Sequence, residues 1–97
     1  MASLSTHVLD TATGRPASGV SVALERDGAV ITTRTTDADG RVRELAASLD
    51  AGTYRLVFDV GGGFFRRVAI DIEIGRDAHY HVPLLLSPFA VSTYRGS

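Results

Sequence analysis

The chain has 97 residues, a formal net charge of −1, 44% hydrophobic and 22% charged residues. That balance excludes a disordered tail or a charged low-complexity segment. With no basic excess, nothing points to nucleic acid or an anionic membrane as partner. Cysteine, lysine, Asn, Gln and Trp are all absent, which removes disulfides, thiolate nucleophiles, Cys-held metals and Schiff-base chemistry. The length predicts one domain over residues 1–97. No apolar run is long enough to span a bilayer, and no secretory leader is read at the amino end. The expected location is the cytoplasm.

Helical periodicity is scarce, and short alternating runs separated by turn signals predict an all-β sandwich. Leu4 to Leu9 puts Leu4 and Val8 on one side and Ser5 and His7 on the other. After a loop with Gly14, Pro16 and Gly19, the residues Val20, Val22 and Leu24 mark the inward face of a second strand. Asp27-Gly28 is a hairpin signal, because a type I′ turn needs positive φ at both central residues. Ala29 to Thr36 returns, and Asp37-Ala38-Asp39-Gly40 turns the chain into a short strand from Arg41 to Leu45. Ala46 to Ala51 is read as a single helical turn. Thr53 to Val60 alternates with Tyr54, Leu56 and Phe58 on one face. Beyond Gly61-Gly62-Gly63, the run Phe64 to Ile74 sets Val68, Ile70, Ile72 and Ile74 against Ala69, Asp71 and Glu73. His79 to Leu86 and Phe89 to Ser97 close the chain. Seven or eight strands in this space predict two packed antiparallel sheets with Greek-key connections.

Strand parity turns the polar residues of interest away from the core. With Leu4 and Val8 inside, His7 faces outward; with Val42 inside, Arg41 and Arg43 do. With Tyr80, Val82 and Leu84 inside, His79 and His81 line the outer surface. Ligand sites are concave and the outer face of one sheet is not, so a second subunit is expected to build the other wall. Two histidines of an H-x-H pair share a strand face and, with His7, form one candidate zinc set; a purely structural histidine pair is the alternative. Gly61 to Gly63 lacks the strand–loop–helix context of a phosphate cradle and reads as a loop. Arg66-Arg67 reads as a solvated edge, and Asp71 with Glu73 has no partner that would make a glycosidase pair.

The carboxyl end is more specific. His79-Tyr80-His81-Val82-Pro83-Leu84-Leu85-Leu86-Ser87-Pro88, followed by Ser92-Thr93-Tyr94-Arg95-Gly96-Ser97, closely resembles the 5-hydroxyisourate hydrolase family, the transthyretin-related enzymes of urate breakdown. Leu4-Ser5-Thr6-His7-Val8-Leu9-Asp10, Thr13-Gly14-Arg15-Pro16-Ala17, Gly19-Val20 and Thr36-Asp37-Ala38-Asp39-Gly40-Arg41 match further blocks. The resemblance covers nearly the whole chain. The Thr-Gly-x-Pro and Asp-Gly-Arg patterns identify the fold. The terminal Tyr-Arg-Gly-Ser is the functional signature, which hormone-carrying transthyretins lack.

The resemblance implies a prealbumin-like sandwich that assembles as a homotetramer, with active sites in a channel between subunits. It implies catalytic roles for His7, Arg41, His81 and Ser97, with His7, Arg41 and Tyr94 contacting substrate. It also implies that neither metal nor cofactor is used. The reaction would open the six-membered ring of 5-hydroxyisourate at an acyl–nitrogen bond, giving 2-oxo-4-hydroxy-4-carboxy-5-ureidoimidazoline. A near-neutral imidazole suits proton transfer from water and to the leaving nitrogen, and a guanidinium suits developing negative charge. Which histidine acts as base stays open at this level, and Ser97 would orient a histidine or the water. A transthyretin-like carrier that binds a small ligand without turnover is the alternative. The chain departs from the family pattern in two places. Between Phe58 and Val68 it is about ten residues shorter than family loops of this kind, and Phe89-Ala90-Val91 replaces an aromatic–Gly–aromatic run.

Overall fold

A computed structural model describes residues 1–97. Nine strands, and no helix, follow in chain order: β1 (Ala2–Asp10), β2 (Arg15–Pro16), β3 (Ser21–Arg26), β4 (Ala29–Thr35), β5 (Arg41–Leu49), β6 (Gly52–Asp59), β7 (Arg67–Ile74), β8 (His79–Leu86) and β9 (Val91–Thr93). One sheet runs β4-β3-β6-β7; the other runs β2-β1-β8-β9, with β5 also paired to β1. All pairings are antiparallel except β1 with β8, which is parallel along Ser3–Asp10 and His79–Leu86. This parallel pair departs from the purely antiparallel expectation. The chain can make it because six strands intervene between the two, four of which, β3, β4, β6 and β7, lie in the other sheet and carry the crossover.

Alternation along the strands builds the core. Leu4, Val8, Val42, Leu45, Tyr80, Val82 and Leu84 of one sheet meet Val22, Leu24, Tyr54, Leu56, Phe58 and Ile74 of the other, all buried. The Asp27-Gly28 hairpin forms as expected, with φ of 53° and 79° at its two central residues. The β6–β7 hairpin keeps register from Gly52↔Ile74 to Asp59↔Arg67. Its short connection is closed by Val60 N–H donating to the Arg66 carbonyl at 3.1 Å.

The helical turn expected over Ala46–Ala51 is corrected: Ala46–Leu49 continues β5. The buried positions Val42, Leu45 and Leu49 recur every three or four residues, which mimics a helical stripe. Bulges produce that spacing. Thr6 pairs with Val42, Leu4 with Ala46 and Ala2 with Leu49, so β5 inserts extra residues against a regular β1. The other boundaries shift modestly. Phe64 to Arg66 lies outside β7, and only Val91–Thr93 of the last segment is strand.

Candidate active site

The site is built on β1, whose outward residues meet partners on both sides. On one side β5 brings Arg41 opposite His7. The Asp37–Gly40 turn sets that position: Asp37 Oδ1 accepts the Asp39 N–H at 2.8 Å and the Arg41 N–H at 3.0 Å. The hydrogen bond from the Arg41 main chain, chiefly, holds the Asp37 carboxyl below its usual pKa. Gly40 docks the turn on β1. Its carbonyl accepts the Val8 N–H at 2.7 Å, and a Cβ at Gly40 would lie 2.5 Å from the Val8 carbonyl oxygen. A backbone φ of +72° adds to the requirement for glycine there.

On the other side, the parallel register places Ser3 beside His79, Ser5 beside His81 and His7 beside Pro83. The hydroxyls engage the imidazoles directly. Ser5 Oγ lies 2.7 Å from His81 Nδ1 and 3.1 Å from His79 Nε2, and Ser3 Oγ lies 2.6 Å from His79 Nδ1. His81 is half-buried, and its pKa is lowered first by desolvation, then by the Arg41 guanidinium and by its interactions with His7 and His79. A hydrogen bond with the Ser5 main chain acts in the opposite direction. Its neutral form is therefore favoured, as a proton acceptor requires.

The carboxyl tail reaches the same place. Gly96 N–H donates to the His81 carbonyl at 2.7 Å, forming an isolated bridge beside β8. Ser97, one residue further, is exposed. Tyr94 is 55% exposed and borders a cleft of about 450 Å³ at the sandwich edge, with Ile70, Ile72, Tyr80, Val82 and Arg95 also on its walls. Arg95 anchors this stretch, pairing with Asp77 at 2.8 Å and lying 4.3 Å over the Tyr80 ring.

Thus the fold brings His7, Arg41 and His81 to one sheet face, carries the tail to His81, and places Tyr94 at the neighbouring cleft. None of the three clefts of the chain is lined by His7, Arg41 or His81. No three His or carboxylate side chains gather as metal ligands; the imidazoles of His79 and His81 instead converge on the Ser5 hydroxyl. Sequence reasoning does not single out Ser3 and Ser5. The available signal is their shared parity with His7, opposite an H-x-H run.

Residues 4–96 match the HIUase/Transthyretin family model, and the chain belongs to that family. A 5-hydroxyisourate hydrolase of Mesorhizobium japonicum is 46% identical over 113 aligned positions, covering 97% of this chain and 91% of the relative. The solved structure of Klebsiella pneumoniae 5-hydroxyisourate hydrolase superposes with a TM-score of 0.94 at 42% identity, covering all of both chains. Sea bream transthyretin, solved with thyroxine, superposes with a TM-score of 0.85 at 29% identity, over 96% of this chain and 93% of that one. A hydrolase and a thyroxine-bound transthyretin thus share this sandwich, and the fold alone does not distinguish them.

Proposed function

We propose that this protein is a 5-hydroxyisourate hydrolase of urate breakdown, opening its purine-derived substrate to 2-oxo-4-hydroxy-4-carboxy-5-ureidoimidazoline. The observation that carries this reading is the juxtaposition of His7, Arg41 and His81 on adjacent strands β1, β5 and β8. The relatives named as hydrolases support it, as does the terminal Tyr94-Arg95-Gly96-Ser97.

In this reading, an imidazole removes a proton from water as the oxygen attacks the ring carbonyl. Arg41 holds the negative charge that develops on the carbonyl oxygen. The proton then goes to the nitrogen as the acyl–nitrogen bond breaks. Tyr94 contacts the planar substrate, and Ser97 orients the water or a histidine. No step uses a metal.

The catalytic face belongs to one domain, residues 1–97, and is open in the single chain. A second copy closes it, within a homotetramer whose channels hold the sites. We place the enzyme in the cytoplasm; its Mesorhizobium and Klebsiella relatives are bacterial.

The test is the ultraviolet decay of freshly generated 5-hydroxyisourate with the pure protein, run with and without EDTA, together with sedimentation. The reading expects accelerated decay that EDTA leaves unchanged, from an oligomer. His7→Ala and His81→Ala should each lower kcat by about 10²–10⁴-fold. Decay no faster than in buffer would overturn the hydrolase, and ligand binding without turnover would favour the carrier.

A further inference from the structure

We propose that Ser5 and His79 are positioning residues that hold His81 as the Nδ1–H tautomer, leaving its Nε2 as the proton acceptor of the site. This rests on the hydrolase reading for its catalytic meaning. The tautomer itself follows from hydrogen-bond bookkeeping.

A serine hydroxyl carries one hydrogen. Ser5 Oγ sits between two ring nitrogens, His81 Nδ1 at 2.7 Å and His79 Nε2 at 3.1 Å. It donates to one and accepts from the other. Ser3 decides which. Its hydroxyl donates to the Ala78 carbonyl at 3.4 Å, a group that only accepts, and lies 2.6 Å from His79 Nδ1. With its hydrogen committed, Ser3 accepts from His79 Nδ1–H. Neutral His79 then has its lone pair at Nε2, so Ser5 donates there and accepts from His81 Nδ1–H. The chain of donors thus runs from His81 to Ser5, from Ser5 to His79, from His79 to Ser3 and from Ser3 to Ala78. The opposite polarity would forfeit the Ser3–Ala78 bond.

The surroundings agree. Arg41 from β5, His7 from β1 and His79 from β8 all oppose a second proton, so the ring stays neutral until substrate and water arrive. When Nε2 takes the proton of the attacking water, the resulting imidazolium keeps its Nδ1–H on Ser5. Nε2–H then passes to the leaving nitrogen, which restores the starting tautomer. His81 is the base in this scheme, Arg41 keeps its place at the developing negative charge, and His7 is left to hold substrate and water in line for attack.

Two-bond proton–nitrogen NMR of histidine-labelled protein, at a pH where histidine is neutral, reads the tautomer without any turnover. The expected spectrum shows His81 as the Nδ1–H form in the wild type and a mixture in Ser5→Ala and His79→Ala. An Nε2–H form in the wild type would overturn the proposal, as would an unchanged Nδ1–H population in folded Ser5→Ala. Since this arm needs no substrate, its failure is distinct from failure of the hydrolase reading. In the decay assay, Ser5→Ala should lower kcat by about ten- to a hundredfold while KM stays near the wild-type value. An unchanged kcat would equally sink it.

Discussion

The main chain of Gly96 lies against the His81 imidazole. Besides donating its N–H to the His81 carbonyl, Gly96 approaches so closely that a Cβ there would meet His81 Cδ2 at 2.7 Å and Cγ at 3.4 Å. Glycine is needed at this position for space, since its φ is not in the left-handed region. The tail therefore packs over the imidazole as well as extending past it.

Gly96→Ala should accordingly push the imidazole or the tail aside. A displacement of about 1 Å at a reacting group can cost on the order of a hundredfold in rate. The expected result is a kcat reduced by up to about that factor, with an unchanged urea midpoint, because the tail adds little to the buried core. Parallel decay assays and denaturation curves on the variant check both halves; full activity would show that the contact is not needed for turnover.

The depressed pKa of His81 sets a direction for the pH profile. Desolvation first, then the Arg41 guanidinium with the neighbouring rings of His7 and His79, keep the ring neutral below the ordinary histidine value of 6.5. If neutral His81 is the base, kcat/KM should hold its plateau below pH 6.5 and fall only as pH drops through the lowered value. Arg41→Met removes the guanidinium, so the His81 titration followed by NMR should move upward. The same group affects stability. The unfolded chain binds its proton more readily, so the stability that His81 contributes is present above 6.5 and is lost as pH falls towards the folded value. A His81 titration at or above the ordinary value would refute this ordering.

The core offers an independent check. Phe58 is fully buried between the sheets. Phe58→Ala should cost about 3–5 kcal/mol through lost burial and the cavity left behind. Urea unfolding reads this directly, and a loss well under that range would mean that the neighbouring Leu and Val side chains collapse into the space.

Much of this architecture is legible in the chain itself. Period-two runs at Leu4–Leu9, Tyr54–Phe58 and Val68–Ile74 identify inward faces that the fold keeps, because a strand has only two sides and apolar side chains leave water on one of them. The same parity predicts that His7, Arg41 and His81 face outward, and strands β1, β5 and β8 bring them together. Where the pattern is irregular, the reading fails. The bulges of β5 give Val42, Leu45 and Leu49 a helix-like spacing that only its pairing with β1 explains.

Local sequence determined the alternation, the turns and the residue types available for chemistry, since these depend on backbone preferences and side-chain polarity within a few residues. Tertiary structure alone decided that β1 and β8 run parallel in a register that stacks Ser3 on His79 and Ser5 on His81. Partners some 75 positions apart meet only through sheet pairing, and the tautomer of a histidine depends on which atom its neighbour offers, which no spacing along the chain encodes.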